Sequence, residues 1–264
     1  MDLKLTEKVA LVTGSTAGIG LAIAQGLARE GATVYVNGRT QERVEEAIST
    51  IKATIPDAKL KGVTADFSKV KEVNALLEEV PEVDILINNV GIFGQKPFAE
   101  ITDEEWMNYY EVNVLSGVRL SRYYFPKMLA QNWGRIIFLS SESAIQIPED
   151  MIQYGMTKTA MLAISRGLAE LTKGTEVTVN AVLPGPTWSE GNEKGVKQTA
   201  EKENITVEEA QQEFFKKYRP TSLLQRFATT EEVANLVTYV SSPLSSATNG
   251  AALRVDGGVV KSAF

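Results

Sequence analysis

The chain has 264 residues, 44% of them hydrophobic and 23% charged, which is enough apolar material to bury a sizeable core. It contains neither cysteine nor histidine, which excludes disulfides, thiol nucleophiles, metals held by cysteine or histidine, and imidazole acid–base chemistry. A net charge of -6, from 27 basic and 33 acidic residues, has the wrong sign for a general binder of phosphate backbones, so no nucleic-acid partner is expected. Proton chemistry must therefore fall to Tyr, Lys, Asp, Glu or water. No apolar run approaches the roughly 20 residues needed to cross a bilayer. Met1-Asp2-Leu3-Lys4-Leu5 lacks the pattern of a secretory leader. The expected location is the cytoplasm, away from membranes, and no metal site is expected.

Taken in chain order, Val9-Ala10-Leu11-Val12 predicts a first buried strand. It runs straight into Thr13-Gly14-Ser15-Thr16-Ala17-Gly18-Ile19-Gly20, with helical spacing after it. Glycines at 14, 18 and 20 permit a tight turn, close approach of backbone to a pyrophosphate and close helix packing. The amides opening the helix supply the donors. A second strand, Val34-Tyr35-Val36, ends at Gly38 and Arg39. Enzymes that use NAD place a carboxylate there on the ribose diol. Here a glycine and a guanidinium favour NADP(H), with NAD(H) as the alternative if Arg39 only caps or solvates a turn.

A helix is predicted from Val44, Ala47, Ile48, Ile51 and Ile55, a weaker third strand from Leu60 to Ala65, and another helix from Val70, Val73, Leu76, Leu77 and Val80. Further strands follow at Val83 to Ile87, Ile136 to Leu139, Val177 to Val182 and Ala251 to Val255. Strands alternating with helices predict right-handed crossovers and a seven-stranded parallel sheet with helices on both faces, a doubly wound α/β Rossmann fold spanning 1–264 as one domain. One interval breaks the rhythm. Between Gly185 and Arg226 about forty residues separate a strand from the next helix, too many for an ordinary connection. Val207, Ala210, Phe214 and Tyr218 predict one inserted amphipathic helix there, placed as a substrate lid over about 185–226; a structural excursion or an oligomer contact is the alternative.

Tyr154 and Lys158 are four apart at the start of an apolar helix and so share a face. An ammonium beside a phenol stabilises the phenolate. A drop of about three units in the tyrosine pKa requires roughly 4 kcal/mol. Ser141 ends the Ile136 strand among Ser140, Glu142 and Ser143, where any of the three serines could instead cap a turn.

Together these features resemble the short-chain dehydrogenase/reductase family over nearly the whole chain. The motifs are the TGxxxGxG turn, Asn88-Asn89-Val90-Gly91, Asn113, Ser141, Tyr154-Gly155-Met156-Thr157-Lys158, Pro184-Gly185 and Asp256-Gly257-Gly258, in that order. The resemblance implies a strand order of 3-2-1-4-5-6-7, a homotetramer or homodimer, and hydride transfer between nicotinamide and a carbonyl or alcohol. It implies that Tyr154 passes the proton, Ser141 orients the substrate oxygen, Lys158 lowers the tyrosine pKa and holds the nicotinamide ribose, and Asn113 anchors a water leading to Lys158. It implies cofactor contacts from Gly14, Ser15, Thr16, Gly18, Ile19, Gly20, Arg39, Asp66, Phe67, Asn89, Val90, Gly91, Pro184, Gly185, Thr187 and Ser189. Asp66 is also the kind of residue that caps the next helix. Val90 stands where the family usually has alanine, and Thr187 and Ser189 occupy the positions of its usual carboxamide contacts. Glu142, Ile147, Met151, Trp188, Phe214, Phe215 and Tyr218 are pocket candidates for a moderately apolar substrate. Reduction of acyl-carrier-protein thioesters, a non-catalytic NADP-binding regulator of the same fold, and a partner-binding protein remain as alternatives.

Overall fold

A computed structural model of the chain describes residues 2–263. Its order is β1 (Val9–Val12), α1 (Gly18–Arg29), β2 (Thr33–Gly38), α2 (Gln41–Thr54), β3 (Leu60–Thr64), α3 (Val70–Glu79) and β4 (Ile85–Asn88), then α4 (Asp103–Tyr110), α5 (Ser116–Ala130), β5 (Gly134–Leu139) and α6 (Ile152–Glu170). It ends with β6 (Val177–Pro184), α7 (Glu190–Glu203), α8 (Val207–Tyr218), α9 (Thr230–Val240) and β7 (Ala252–Val255). All seven strands pair in parallel in the order β3-β2-β1-β4-β5-β6-β7.

Strand alternation sends side chains to two apolar layers. Ala10, Val12, Ile85, Ile87 and Ile137 pack on one face with Ile23 and Leu27 of α1, Val44 and Ile51 of α2, and Val233 and Val237 of α9. Leu11, Leu86, Ile136 and Phe138 pack on the other with Val73 and Leu76 of α3, Leu120 and Tyr124 of α5, and Met161 of α6. Every residue of β4, β5 and β6 is buried, which is why these strands are mostly apolar, with Asn88, Arg135, Thr178 and Asn180 as the buried polar exceptions. No helix among the described residues is long and apolar enough to cross a membrane.

The insertion differs from its expectation: it holds two helices, α7 and α8, around a small core of their own. Val196, Ala200, Ala210, Phe215 and Phe227 form that core, flanked by Trp188, Ile205, Val207 and Phe214. Its α8 face is rotated from the predicted one, because Phe215 is buried while Tyr218 stays 43% exposed. Thr206 and Glu209 close a capping box at the start of α8, and Asn204 turns into the left-handed region at φ 54° to end α7. The chain then re-enters the sheet region on the Asp256-Gly257-Gly258 turn, where Gly257 O accepts from both Leu223 N (2.8 Å) and Leu224 N (2.9 Å).

Candidate active site

At the carboxyl end of β1 the glycine turn is held from behind. The buried Ser15 hydroxyl donates to Val12 O (2.7 Å) and accepts from Asn37 N (2.9 Å), and Asn37 Oδ1 accepts from Gly14 N (2.9 Å). Ser15 thus braces the turn instead of facing a ligand with its side chain. Thr13 ties the turn to β4, its hydroxyl donating to Ile87 O (3.1 Å) and accepting from Asn89 N (2.9 Å) and Val90 N (3.1 Å). Both amide protons of Asn89 are spent on Thr13 O (2.9 Å) and Gly14 O (3.1 Å), so its side chain shapes the turn and has only its oxygen left for a ribose. Thr13 and Asn37 escaped the sequence reading, although a polar Asn37 inside an apolar strand was a usable signal.

These residues fit a dinucleotide. Gly14 and Gly18 adopt φ of 60° and 55°, and the α1 N-cap, Ala17, offers no side-chain hydrogen bond, so the first-turn amides face outward without a side-chain cap. Ile19 is half-buried in that turn. Val90 crowds the site modestly, since a Cβ at Gly14 would lie 3.1 Å from Val90 Cγ2. A cavity of about 290 Å³ opens beside Gly18, walled by Trp188, Ser189 and Glu231. At the end of β2, a Cβ on Gly38 would lie 2.5 Å from Thr16 Cγ2, so Thr16 occupies the space that a side chain at 38 would need. Arg39 is exposed and makes no hydrogen bond or ion pair among the described residues, so its guanidinium does not cap the turn and lies in solvent. Asp66 accepts from Ser68 N (3.0 Å) and Ser68 Oγ (2.7 Å), and these bonds hold its carboxyl below the usual range. It does cap the turn before α3, with its second oxygen facing Lys69 at 3.8 Å. Phe67 is buried, its side chain packed in the core on the α3 side of the sheet.

Across the sheet edge, β6 ends at Pro184. A Cβ on Gly185 would meet Asp256 O at 2.5 Å, so the two chain segments touch through glycine. Thr187 is buried and its hydroxyl donates to Gly185 O (2.9 Å), while Ser189 sits 3.4 Å from a would-be Gly18 Cβ, over the glycine turn.

The four candidate catalytic residues converge at the carboxyl ends of β4 and β5. Asn113 lies in a π turn, Glu111–Leu115, that joins α4 to α5. Its Oδ1 accepts from Ile92 N (2.7 Å), and its Nδ2 donates to Ile92 O (2.9 Å) and to Thr157 Oγ1 (3.0 Å). With both Nδ2 protons committed, the side chain anchors the loop after β4, and its nitrogen cannot also hold a water. Gly91 leaves open a space shared by Asn113 Oδ1 and Lys158 Nζ, each 3.4 Å from a would-be Cβ. Lys158 Nζ donates to Leu139 O (2.7 Å) and lies 5.5 Å from the Tyr154 ring centre. Ser140 Oγ turns away and donates to Lys158 O (2.8 Å), whereas Ser141 Oγ (3.1 Å) and Ser143 Oγ both donate to Glu142 Oε2; of the three, Ser141 is the one whose hydroxyl lowers the Tyr154 pKa. Phe93 stacks edge-on to Tyr154 at 6.3 Å.

Burial dominates the electrostatics. Tyr154 is half-buried, and desolvation pushes its pKa up to about 12, against a smaller lowering by the Ser141 hydroxyl. Burial pushes the Lys158 ammonium down to about 8. The expected lowering of the tyrosine pKa by the lysine is therefore not a property of the free site: the ammonium faces a carbonyl and stands off from the phenol. Among the pocket candidates, Glu142 is buried and ion-paired to Arg219, Phe215 serves the insertion's core, and Ile147 and Tyr218 are exposed at 47% and 43%.

The family profile described as "short chain dehydrogenase" matches residues 8–200. The chain belongs to the short-chain dehydrogenase/reductase family. It is an oxidoreductase of that family, acting on CH–OH or C=O groups. The chain is 50% identical over its full length, and the full length of the relative, to the uncharacterized oxidoreductase YvaG of Bacillus subtilis. It is 34% identical, over 98% of the chain and all of the relative, to the 3-oxoacyl-[acyl-carrier-protein] reductase FabG of Aquifex aeolicus. Among solved structures, L-sorbose reductase from Gluconobacter frateurii, complexed with NADPH and L-sorbose, superposes with a TM-score of 0.93 at 32% identity, covering 99% of this chain and 100% of that one.

Proposed function

We propose that this short-chain dehydrogenase/reductase is an NADP(H)-preferring enzyme that interconverts a carbonyl and an alcohol by way of Ser141, Tyr154, Lys158 and Asn113. The convergence of a phenol, a serine hydroxyl and a buried lysine that reaches the loop after β4 at Gly91 carries this reading. When bound, the nicotinamide supplies or accepts the hydride. Tyr154, protonated in the free site, gives its proton to the carbonyl oxygen; in the reverse direction it takes the hydroxyl proton. Ser141 donates to the same oxygen and fixes its position. Lys158 stabilises the phenolate left on Tyr154 and returns a proton through the space beside Gly91, which Asn113 keeps open by holding Ile92. The insertion of α7 and α8 acts as the substrate lid, and the dimer or tetramer implied by the family belongs to the same reading. A panel of carbonyls and alcohols, assayed with each cofactor by nicotinamide absorbance, tests it: turnover supports an enzyme, whereas binding without turnover across the panel supports a regulator. An acetoacetyl thioester belongs in the panel because the 34% identity to the Aquifex aeolicus reductase makes acyl-carrier-protein substrates the second reading.

Two expectations follow from the site. Arg39→Ala should weaken NADPH binding by about tenfold to a hundredfold, the worth of a charge-assisted hydrogen bond, with little effect on NADH. Calorimetric titration with both cofactors checks this, and equal losses would remove the 2′-phosphate role. The pH profile is the second. Reduction needs a protonated Tyr154, which persists to about 12, and a charged Lys158, which loses its proton near 8. kcat/KM for reduction should therefore hold level from pH 6 and fall above about 8, tenfold per further unit. With no histidine in the chain, no imidazole can produce that limb. A profile level to pH 10 would mean that the Lys158 charge is not required.

A further inference from the structure

Directly after Ser141 stands a buried carboxylate that the proton-transfer scheme does not use. Glu142 is 2% exposed. Its Oε2 accepts from Ser141 Oγ (3.1 Å) and from Ser143 Oγ, and its Oε1 accepts from Arg219 Nε (2.7 Å). Arg219 follows α8, so the pair joins the insertion to the catalytic floor. Its side chain is 15% exposed, its Nη1 donates to Tyr218 O (2.8 Å), and its Nη2 has no hydrogen-bond partner among the described residues. The pair is thus one hydrogen bond away from Ser141, the serine proposed to orient the substrate oxygen.

A buried ion pair is costly to desolvate and is weak evidence for stability. Its position suggests a use in recognition. The one proton of the Ser141 hydroxyl points to Glu142 in the free site. To hydrogen-bond a carbonyl oxygen, Ser141 must turn that proton away, and Glu142 Oε2 then loses a donor. A hydroxyl on the carbon next to the carbonyl can donate to Glu142 in its place and accept from Arg219 Nη2, because a hydroxyl is both donor and acceptor. A plain ketone can do neither and leaves buried polar groups short of partners. A carboxylate beside the carbonyl would bring a second anion against Glu142.

We propose that the Glu142–Arg219 pair selects substrates bearing a hydroxyl next to the reacting carbon, so that the enzyme reduces hydroxyketones, and oxidises vicinal diols, in preference to plain ketones and keto acids. This rests on the hydride-transfer reading above. The test compares 1-hydroxy-2-butanone, 2-butanone and 2-oxobutanoate as substrates with NADPH, in the wild type, in Glu142→Gln, and in the doubly substituted Glu142→Leu, Arg219→Met, which replaces the pair by apolar groups of similar size. Calorimetric binding of 1,2-butanediol and 2-butanol in the presence of NADPH, a combination with no hydride acceptor, gives a second readout that needs no turnover. The wild type should favour the hydroxyketone over 2-butanone by about a hundredfold in kcat/KM, within the range for a site built around a substrate hydroxyl. The double variant should bring that ratio within about threefold, and the preference for the diol should disappear with it. A wild type that reduces 2-butanone or 2-oxobutanoate as well as the hydroxyketone, or variants that keep the preference, would overturn the inference while leaving hydride transfer standing. No turnover of any carbonyl would overturn both.

Discussion

Tyr154→Phe is expected to lower kcat for carbonyl reduction by about 10³-fold while leaving the fold and NADPH binding in place. The ring keeps its edge-on contact with Phe93, and the Ser141 hydroxyl keeps Glu142 and Ser143 N as partners, so removing one oxygen disturbs little packing. What is lost is the proton. With no histidine or cysteine in the chain, and with Lys158 directed at Leu139 O, no neighbouring group can replace the phenol as donor at the same point. Single-turnover absorbance at saturating NADPH measures the loss, and calorimetric titration shows whether cofactor binding survives. A variant within tenfold of the wild type would remove Tyr154 as the proton donor.

The second large effect is expected at Gly20. A Cβ there would lie 2.4 Å from Gly14 O and 2.5 Å from Asn89 Nδ2, and neither can yield without opening the turn, because that same nitrogen holds Thr13 O and Gly14 O. Gly20→Ala should cost about 3 kcal/mol of stability, the scale of overpacking against atoms that cannot move away. It should also weaken NADPH binding by more than about a hundredfold, since the displaced turn is the one proposed to hold the pyrophosphate through its amides. Gly167→Ala is the matched control. Gly167 lies inside α6 with nothing within 4 Å of a would-be Cβ, so alanine there should stabilise by up to about 1 kcal/mol. Thermal unfolding of both variants with calorimetric titration checks the contrast; similar behaviour of the two would mean that the glycine turn tolerates a side chain.

The strands and the glycine turn were legible because their signals are local. A strand buried on both faces must be apolar nearly throughout, and a left-handed φ of 60° at Gly14 favours glycine whatever surrounds it. Helix α7 was missed for the opposite reason. Of its 14 residues only Val196 and Ala200 are buried, so it carries almost no amphipathic pattern and is held by a core shared with α8 and Phe227. The π turn at Asn113 also has no sequence signature, since its register follows from how Asn113 meets Ile92 and Thr157. Ser15 and Phe67 fall in turn motifs as expected, yet their side chains point inward, which motif position alone does not reveal.

The sequence by itself determined the fold class, the strand count, the glycine turn and the set of side chains able to move a proton. Each of these follows from residue type and short-range spacing, which act before any distant segment is in place. Only the tertiary structure decided how those side chains behave. It lifted the Tyr154 phenol to about 12 and lowered the Lys158 ammonium to about 8, because desolvation depends on everything packed around a group. It took Ser140 out of the running by turning its hydroxyl to Lys158 O, and it tied Ser141 and Ser143 to one carboxylate oxygen of Glu142. It also brought Arg219 onto Glu142 across 77 positions of chain, an encounter that no local pattern encodes, because only the packing of α7 and α8 beyond β6 makes it.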